Sequence, residues 1–352
     1  MNAPSSDVPC EDAPVLLRRE GRAAYAVLNR PRAINALNHA MVGLLSRALT
    51  DWEGDPSVET VVLTGAGERG LCAGGDIRSI HDDVTAGRSA APAAFWYDEY
   101  RLNARFPKPY VAVMDGIVMG GGVGVSAHGG VRVVTERSRI AMPETGIGFV
   151  PDVGGTYLLT RTPGELGTHL ALTGSPVTAG DALLCGLADH YVPSERLPEL
   201  TAALAELPAA DAVRRYEAAA PEAELAEHRE WIDHCYAAGA VEEIVDRLHA
   251  SGDRHAEEAA ETLLAKSPTA LKVTLAALRR ARELPDLEAV LAQEYRVSCA
   301  LLDAPDLPEG IRAQVVDKDR RPRWSPAELA RVTEADVARC FTEPAGGPLR
   351  FS

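Results

Sequence analysis

Thr60-Val61-Val62-Leu63-Thr64 is a β-branched apolar run that ends in a glycine-rich stretch, residues 65–76, containing Cys72-Ala73-Gly74-Gly75-Asp76. The arrangement recurs downstream. Tyr110-Val111-Ala112-Val113-Met114 passes through Gly116 into Met119-Gly120-Gly121-Gly122-Val123-Gly124. A short unbroken apolar run bounded by glycine or proline reads as a strand buried on both faces. Two such strands, each emptying into a glycine loop, predict paired loops at one edge of a buried sheet. Working outward, residues 25–29 read as a short strand after an Arg-rich, hairpin-like start. Asn38 is a candidate cap for a helix marked by Met41, Leu44, Leu45, Ala48 and Leu49 at helical spacing. Residues 123–127 read as a buried helix, and residues 131–134 and 139–142 as further strands. Strand, glycine loop and helix in alternation predict an α/β core.

Composition shifts near residue 205. From there to about 303 the chain is rich in Ala, Leu, Glu and Arg, with helical periods and no strand runs. Three regions are expected: a disordered tail over 1–13, an α/β core over 14–205 and a helical region over 206–352. Residues 308–324 read as irregular, followed by a last short helix with Ser325 as its cap and Pro326 in its first position.

The chain has 352 residues and a formal net charge of -15, with 46% hydrophobic and 25% charged residues. These values describe a globular protein, and the acidic balance argues against nucleic acid as a partner. No apolar run of membrane-spanning length occurs, so no membrane partner is expected. The polar N-terminus and the six scattered cysteines predict a bacterial cytoplasmic protein with reduced thiols.

Backbone N–H groups in glycine loops can approach a ligand closely, which suits phosphate binding or an oxyanion hole. The same glycines also suit tight turns with no ligand. Neither loop has the Gly and Lys pattern of a nucleotide site. Glu144 and Asp152 stand in an otherwise apolar stretch, residues 141–155. Desolvated carboxylates favour acid–base or nucleophilic work. The structural alternative has Glu144 ending a strand in solvent and Asp152 capping a helix that begins near Val153. Arg30 and Arg32 are candidates for anionic contacts or a solvated pair. Trp96, Tyr97 and Tyr100 are candidates for the core or a pocket lining. Ser126 and His128 lack the spacing of a nucleophile elbow.

Four segments, Leu28 to Leu37, Cys72 to Ile77, Gly116 with Gly120 to Gly122, and Pro143-Glu144, stand in the order of the enoyl-CoA hydratase/isomerase (crotonase) superfamily, which the chain resembles. The finer pattern is similar to the 3-hydroxyisobutyryl-CoA hydrolase family within it. That pattern is carried by Met142-Pro143-Glu144-Thr145, Pro151-Asp152-Val153-Gly154-Gly155, Lys266 to Lys272, Glu294-Tyr295-Arg296 and Glu309 to Ala313. The resemblance implies a crotonase-like ββα spiral core with an α-helical C-terminal region. It also implies a thioester hydrolase acting on a small acyl-CoA, with CoA as part of the substrate and no other cofactor or metal. The N–H groups of Gly75 and Gly121 would form the oxyanion hole, with Glu144 as the main catalytic carboxylate and Asp152 as its partner. Glu99, Ala73, Asp76, Arg30 and Arg32 would contact substrate. Hydratases of the superfamily carry a glutamate where this chain has Gly124, so the resemblance points away from hydration. A homo-oligomer is compatible with the sequence.

Overall fold

The computed structural model describes residues 12–351. Of the expected disordered tail, residues 1–11 lie outside the described residues, while the carbonyl of Ala13 is held by the side-chain amide of Asn29 at 3.0 Å. A six-stranded sheet has the order β1-β2-β3-β4-β6-β8. Its strands are β1 (Val15–Glu20), β2 (Ala23–Leu28), β3 (Thr60–Gly65), β4 (Tyr110–Met114), β6 (Val131–Val134) and β8 (His190–Tyr191). The β1–β2 hairpin is antiparallel and every other pairing in this sheet is parallel. β5 (Ile117–Met119) and β7 (Arg139–Ala141) form a small parallel sheet of their own. The strand expected over residues 25–29 is the last four of the six residues of β2, which ends at Leu28.

Both faces of the large sheet are covered, which is why the centres of β3 and β4, Val61 to Leu63 and Val111 to Val113, are apolar. One face meets the helices Leu197–Leu204 and Ala209–Tyr216: Leu200, Leu204, Ala212 and Val213 pack against Tyr25, Val62 and Val111. The expected boundary near 205 therefore falls between two helices that share one sheet face. The other face meets a continuous core that runs into the C-terminal helices through Ile232, Ile244, Leu263, Leu275, Leu291 and Leu301. The helix His39–Glu53 starts where expected, with Asn38 Oδ1 accepting from the Met41 amide at 3.0 Å.

Two expectations near the C-terminus are corrected. Residues 308–324 are irregular only from 317 onward; Asp306–Ile311 is an α-helix that continues into a π turn, Arg312–Val316. Pro308 is tolerated because it lies in the first turn, where its missing N–H has no helical acceptor. Ser325 caps no helix. The last helix is Glu334–Arg339, closed by a capping box in which Thr333 and Asp336 bond reciprocally.

Candidate active site

The loop after β3 does not leave the body of the protein. Cys72 pairs in parallel with Val118 of β5, the Cys72 amide bonding the Ile117 carbonyl at 3.1 Å and the Met119 amide bonding Cys72 at 2.9 Å. Three residues beyond each partner lie Gly75 and Gly121, so the pairing brings the two glycine loops level. Each donor follows a glycine in a conformation that L side chains rarely adopt: Gly74 has φ +109° and Gly120 has φ +49°. These turns direct the next peptide N–H away from the strand ladder. Neither the Gly75 nor the Gly121 amide is taken by a carbonyl of the described chain. A Cβ built on Gly121 would stand 3.4 Å from the Gly75 nitrogen, which places the two donors side by side.

They open into a cavity of about 330 Å³. Its wall includes Ala73, Gly74, Gly75, Gly120, Gly121, Glu99, Glu144 and Asp152, with Phe95, Trp96, Phe149 and Ile77 as the apolar lining. Trp96 and Phe149 stack at 5.0 Å. The far side comes from the C-terminal region: Lys266 in the bend between two helices, and Leu307, Ile311 and Gln314. The π turn is what presents Gln314, and Arg78 ties that turn to the core by bonding the Val315 carbonyl at 2.7 Å.

The three carboxyl groups arrive from three directions. Glu144 begins a short turn, Glu144–Ile147, right after β7. Its Oε1 would be 2.8 Å from a Cβ on Gly120, and its buried Oε2 has no hydrogen-bond partner among the described residues. Glu99 lies on the helix Ala90–Asn103, whose inward face carries Trp96, Glu99, Tyr100 and Asn103 at helical spacing. Glu99 is 2% exposed, and its Oε1 would be 2.6 Å from a Cβ on Gly121. Asp152 is held from below by Tyr100, whose hydroxyl donates to Oδ2 at 2.7 Å. It caps no helix: the next one is Gly155–Leu159, with Gly154 at its N-cap.

Burial sets the protonation of this cluster. Desolvation, with Asp152 as a like-charged neighbour, pushes Glu99 and Glu144 well above the usual carboxylate range. Desolvation also raises Asp152, to about 7, against the lowering effect of the Tyr100 hydroxyl. Glu294 lies behind Asp152 and is raised to about 8 by burial. Cys72, beside the glycine loop, is pushed up to about 12 by burial and is no nucleophile at neutral pH.

Stability should follow these shifts. An acid with a raised folded pKa stays protonated in the native state after the unfolded chain has released its proton, so its contribution falls as pH rises. The window runs from the ordinary carboxylate range up through about 7 for Asp152 and about 8 for Glu294. The melting temperature should drop between roughly pH 5 and 8.5. Asp152→Asn should flatten that slope in scanning calorimetry. A slope unchanged in the variant would show that Asp152 ionises like an exposed acid.

Several sequence candidates lie outside the cavity wall. Arg30 and Asp76 do not line the cavity; they pair with each other at 2.8 Å, and Asp76 caps the helix Ile77–Thr85. Arg32 is exposed and lies outside the cavity wall. An arginine beside a carboxylate on its own chain satisfies that partner first. Tyr97 packs edge-on against Tyr295. Ser126 and His128 have separate partners: Ser126 bonds the Gly122 carbonyl at 2.6 Å, and His128 Nε2 bonds the Val153 carbonyl at 2.8 Å. Because a carbonyl only accepts, His128 carries its proton on Nε2.

The family model described as enoyl-CoA hydratase/isomerase matches residues 23–341. The chain belongs to that family. Curated relatives named "3-hydroxyisobutyryl-CoA hydrolase, mitochondrial" include one from Danio rerio, 42% identical over 93% of this chain and 89% of its own length. Another, from Homo sapiens, is 40% identical over 96% of this chain and 90% of its own length. Among solved structures, one described as a carnitinyl-CoA dehydratase from Mycobacterium thermoresistibile is 53% identical with a TM-score of 0.94, covering 97% of this chain and 99% of its own. One described as an enoyl-CoA hydratase from Rhodobacter sphaeroides is 43% identical with a TM-score of 0.90, over 96% and 100%. The similarity to 3-hydroxyisobutyryl-CoA hydrolases read from the motifs thus extends over nearly the whole chain, on a crotonase fold. The expected bacterial cytoplasmic location is overturned by the curated relatives, which are named as mitochondrial. Reduced thiols suit both compartments, so the cysteine pattern could not separate them.

Proposed function

We propose that the enzyme hydrolyses the thioester of 3-hydroxyisobutyryl-CoA, or of a closely related short 3-hydroxyacyl-CoA, to the hydroxy acid and free CoA, as a step of valine degradation. One observation carries the reading: two unengaged amides, Gly75 and Gly121, face a small apolar cavity flanked by buried carboxyl groups. The thioester carbonyl oxygen accepts from both amides, which stabilise the charge that develops on it. The carbonyl carbon is attacked by the Glu144 carboxylate, giving a mixed anhydride that water then opens, or by water that Glu144 deprotonates. In either route the C–S bond breaks, the CoA thiolate departs and takes a proton, and the acyl carbon gains one oxygen. Asp152 and Glu99 face the 3-hydroxyl group. CoA enters and leaves as substrate and product, so the reaction asks for no other cofactor.

Gly124 separates this from hydration. Adding water across an enoyl double bond needs one group to orient water and another to protonate carbon. A Cβ at position 124 would already stand 2.6 Å from both Asn103 Nδ2 and Val153 Cβ, so a glutamate has no room there. The two solved structures described as a hydratase and a dehydratase make hydration the reaction to compare with hydrolysis. Thiol appearance from 3-hydroxyisobutyryl-CoA should be fast, and loss of enoyl absorbance from crotonyl-CoA should be at background. Rapid loss of the enoyl band without thiol release would replace hydrolysis by hydration.

A further inference from the structure

The loop that carries Asp152 is built in a way its own sequence does not support. Val153 is β-branched and has φ +53°, a conformation such residues rarely adopt. Gly154, at the N-cap of the next helix, has no side chain with which to cap it. What holds the loop comes from elsewhere. Glu294, on the helix Leu287–Leu302 and separated by 140 residues, accepts the Gly154 amide on Oε2 at 2.6 Å. Its Oε1 accepts the Thr156 amide at 2.9 Å and the Thr156 hydroxyl at 2.6 Å. One turn further along the same helix face, Ser298 bonds the Tyr100 hydroxyl at 2.8 Å, and Tyr100 in turn donates to Asp152. A hydroxyl has one proton, so with Tyr100 donating to Asp152, Ser298 must be the donor to Tyr100. His128 holds the Val153 carbonyl from a third direction.

We propose that Glu294 is a positioning residue for the reaction: its two carboxyl oxygens supply the cap that Gly154 lacks, fix residues 152–156 and so aim the Asp152 carboxyl into the cavity. Glu294 does not line the cavity and touches no substrate. Its action is through Asp152, and this inference rests on the functional reading above. A glutamine at 294 keeps the shape but turns one acceptor oxygen into an NH2 group facing an amide N–H. One of the two backbone donors then loses its partner.

Glu294→Gln should lower kcat for thiol release on the order of 100-fold, because small misplacements of a reacting group have effects of that size. KM should stay within about threefold, since acyl-CoA contacts are intact. Combined with Asp152→Asn, the second change should add almost nothing, because both act on one group. Amide hydrogen exchange at Gly154 and Thr156 should speed up in Glu294→Gln, a readout that does not depend on which reaction the enzyme runs. Thr156→Val removes one donor without changing side-chain shape and serves if Glu294 variants fold poorly; it should lower kcat severalfold at constant KM. Additive losses in the double variant, or faster exchange with wild-type kcat, would overturn the positioning role. Unchanged exchange would overturn the clamp itself. A wild-type enzyme that releases no thiol would instead sink the proposed function, while exchange would still decide the clamp.

Discussion

Glu144→Gln is expected to lower thioester turnover about 100- to 10,000-fold while leaving acyl-CoA binding nearly intact, the range that a positioned proton-transfer group contributes. The substitution is nearly isosteric and removes only the ionisable group. Its environment explains the size. The carboxyl is buried, its Oε2 has no partner among the described residues, and it lies beside Gly120, one residue before the proposed oxyanion donor Gly121. Desolvation holds its pKa well above the ordinary range, which makes the ionised form a stronger base and nucleophile than a solvated glutamate. Binding measured by calorimetry with a non-hydrolysable CoA thioether, alongside thiol release, separates the two effects. Wild-type turnover in the purified variant would remove Glu144 from the chemistry. Single-turnover hydrolysis in isotopically labelled water identifies a mixed anhydride opened at the Glu144 carboxyl carbon, because the product then leaves with an unlabelled oxygen from Glu144; label in the product is the outcome both of direct attack by water and of opening at the acyl carbon.

The second large effect belongs to Gly121→Ala. The new methyl group would stand 2.6 Å from Glu99 Oε1 and 3.3 Å from Leu37 Cδ1, so the loop or Glu99 must move. Either movement displaces the Gly121 amide relative to Gly75. Loss of one oxyanion donor typically lowers kcat about 100- to 1000-fold. Overpacking by one methyl group should also lower stability by about 1–3 kcal/mol. Steady-state kinetics at a temperature where the variant is fully folded isolates the catalytic part. If kcat stays within a few-fold of wild type, the Gly121 amide does not bind the oxyanion.

What the sequence determined by itself is local or carried by short motifs. The runs at 60–64 and 110–114 are β-branched or apolar at every position because both faces of their sheet are covered, and that reads directly as buried strand. Asn38 announces its helix because a cap acts on the amide three residues on. The paired glycine loops and the apolar surroundings of Glu144 and Asp152 mark the cavity for the same reason. Only the tertiary structure decided how the groups are aimed. Glu99 faces the cavity because the helix Ala90–Asn103 turns Trp96, Glu99 and Asn103 inward together. Arg30 and Asp76 are brought together as a pair across 46 residues, outside the cavity wall. Lys266, Ile311 and Gln314 complete the wall from a C-terminal region that no local pattern connects to the glycine loops. Glu294 reaches Gly154 across 140 residues, and a hydrogen bond at that separation leaves no periodicity in the sequence, because the fold and not the neighbouring residues brings its partners together.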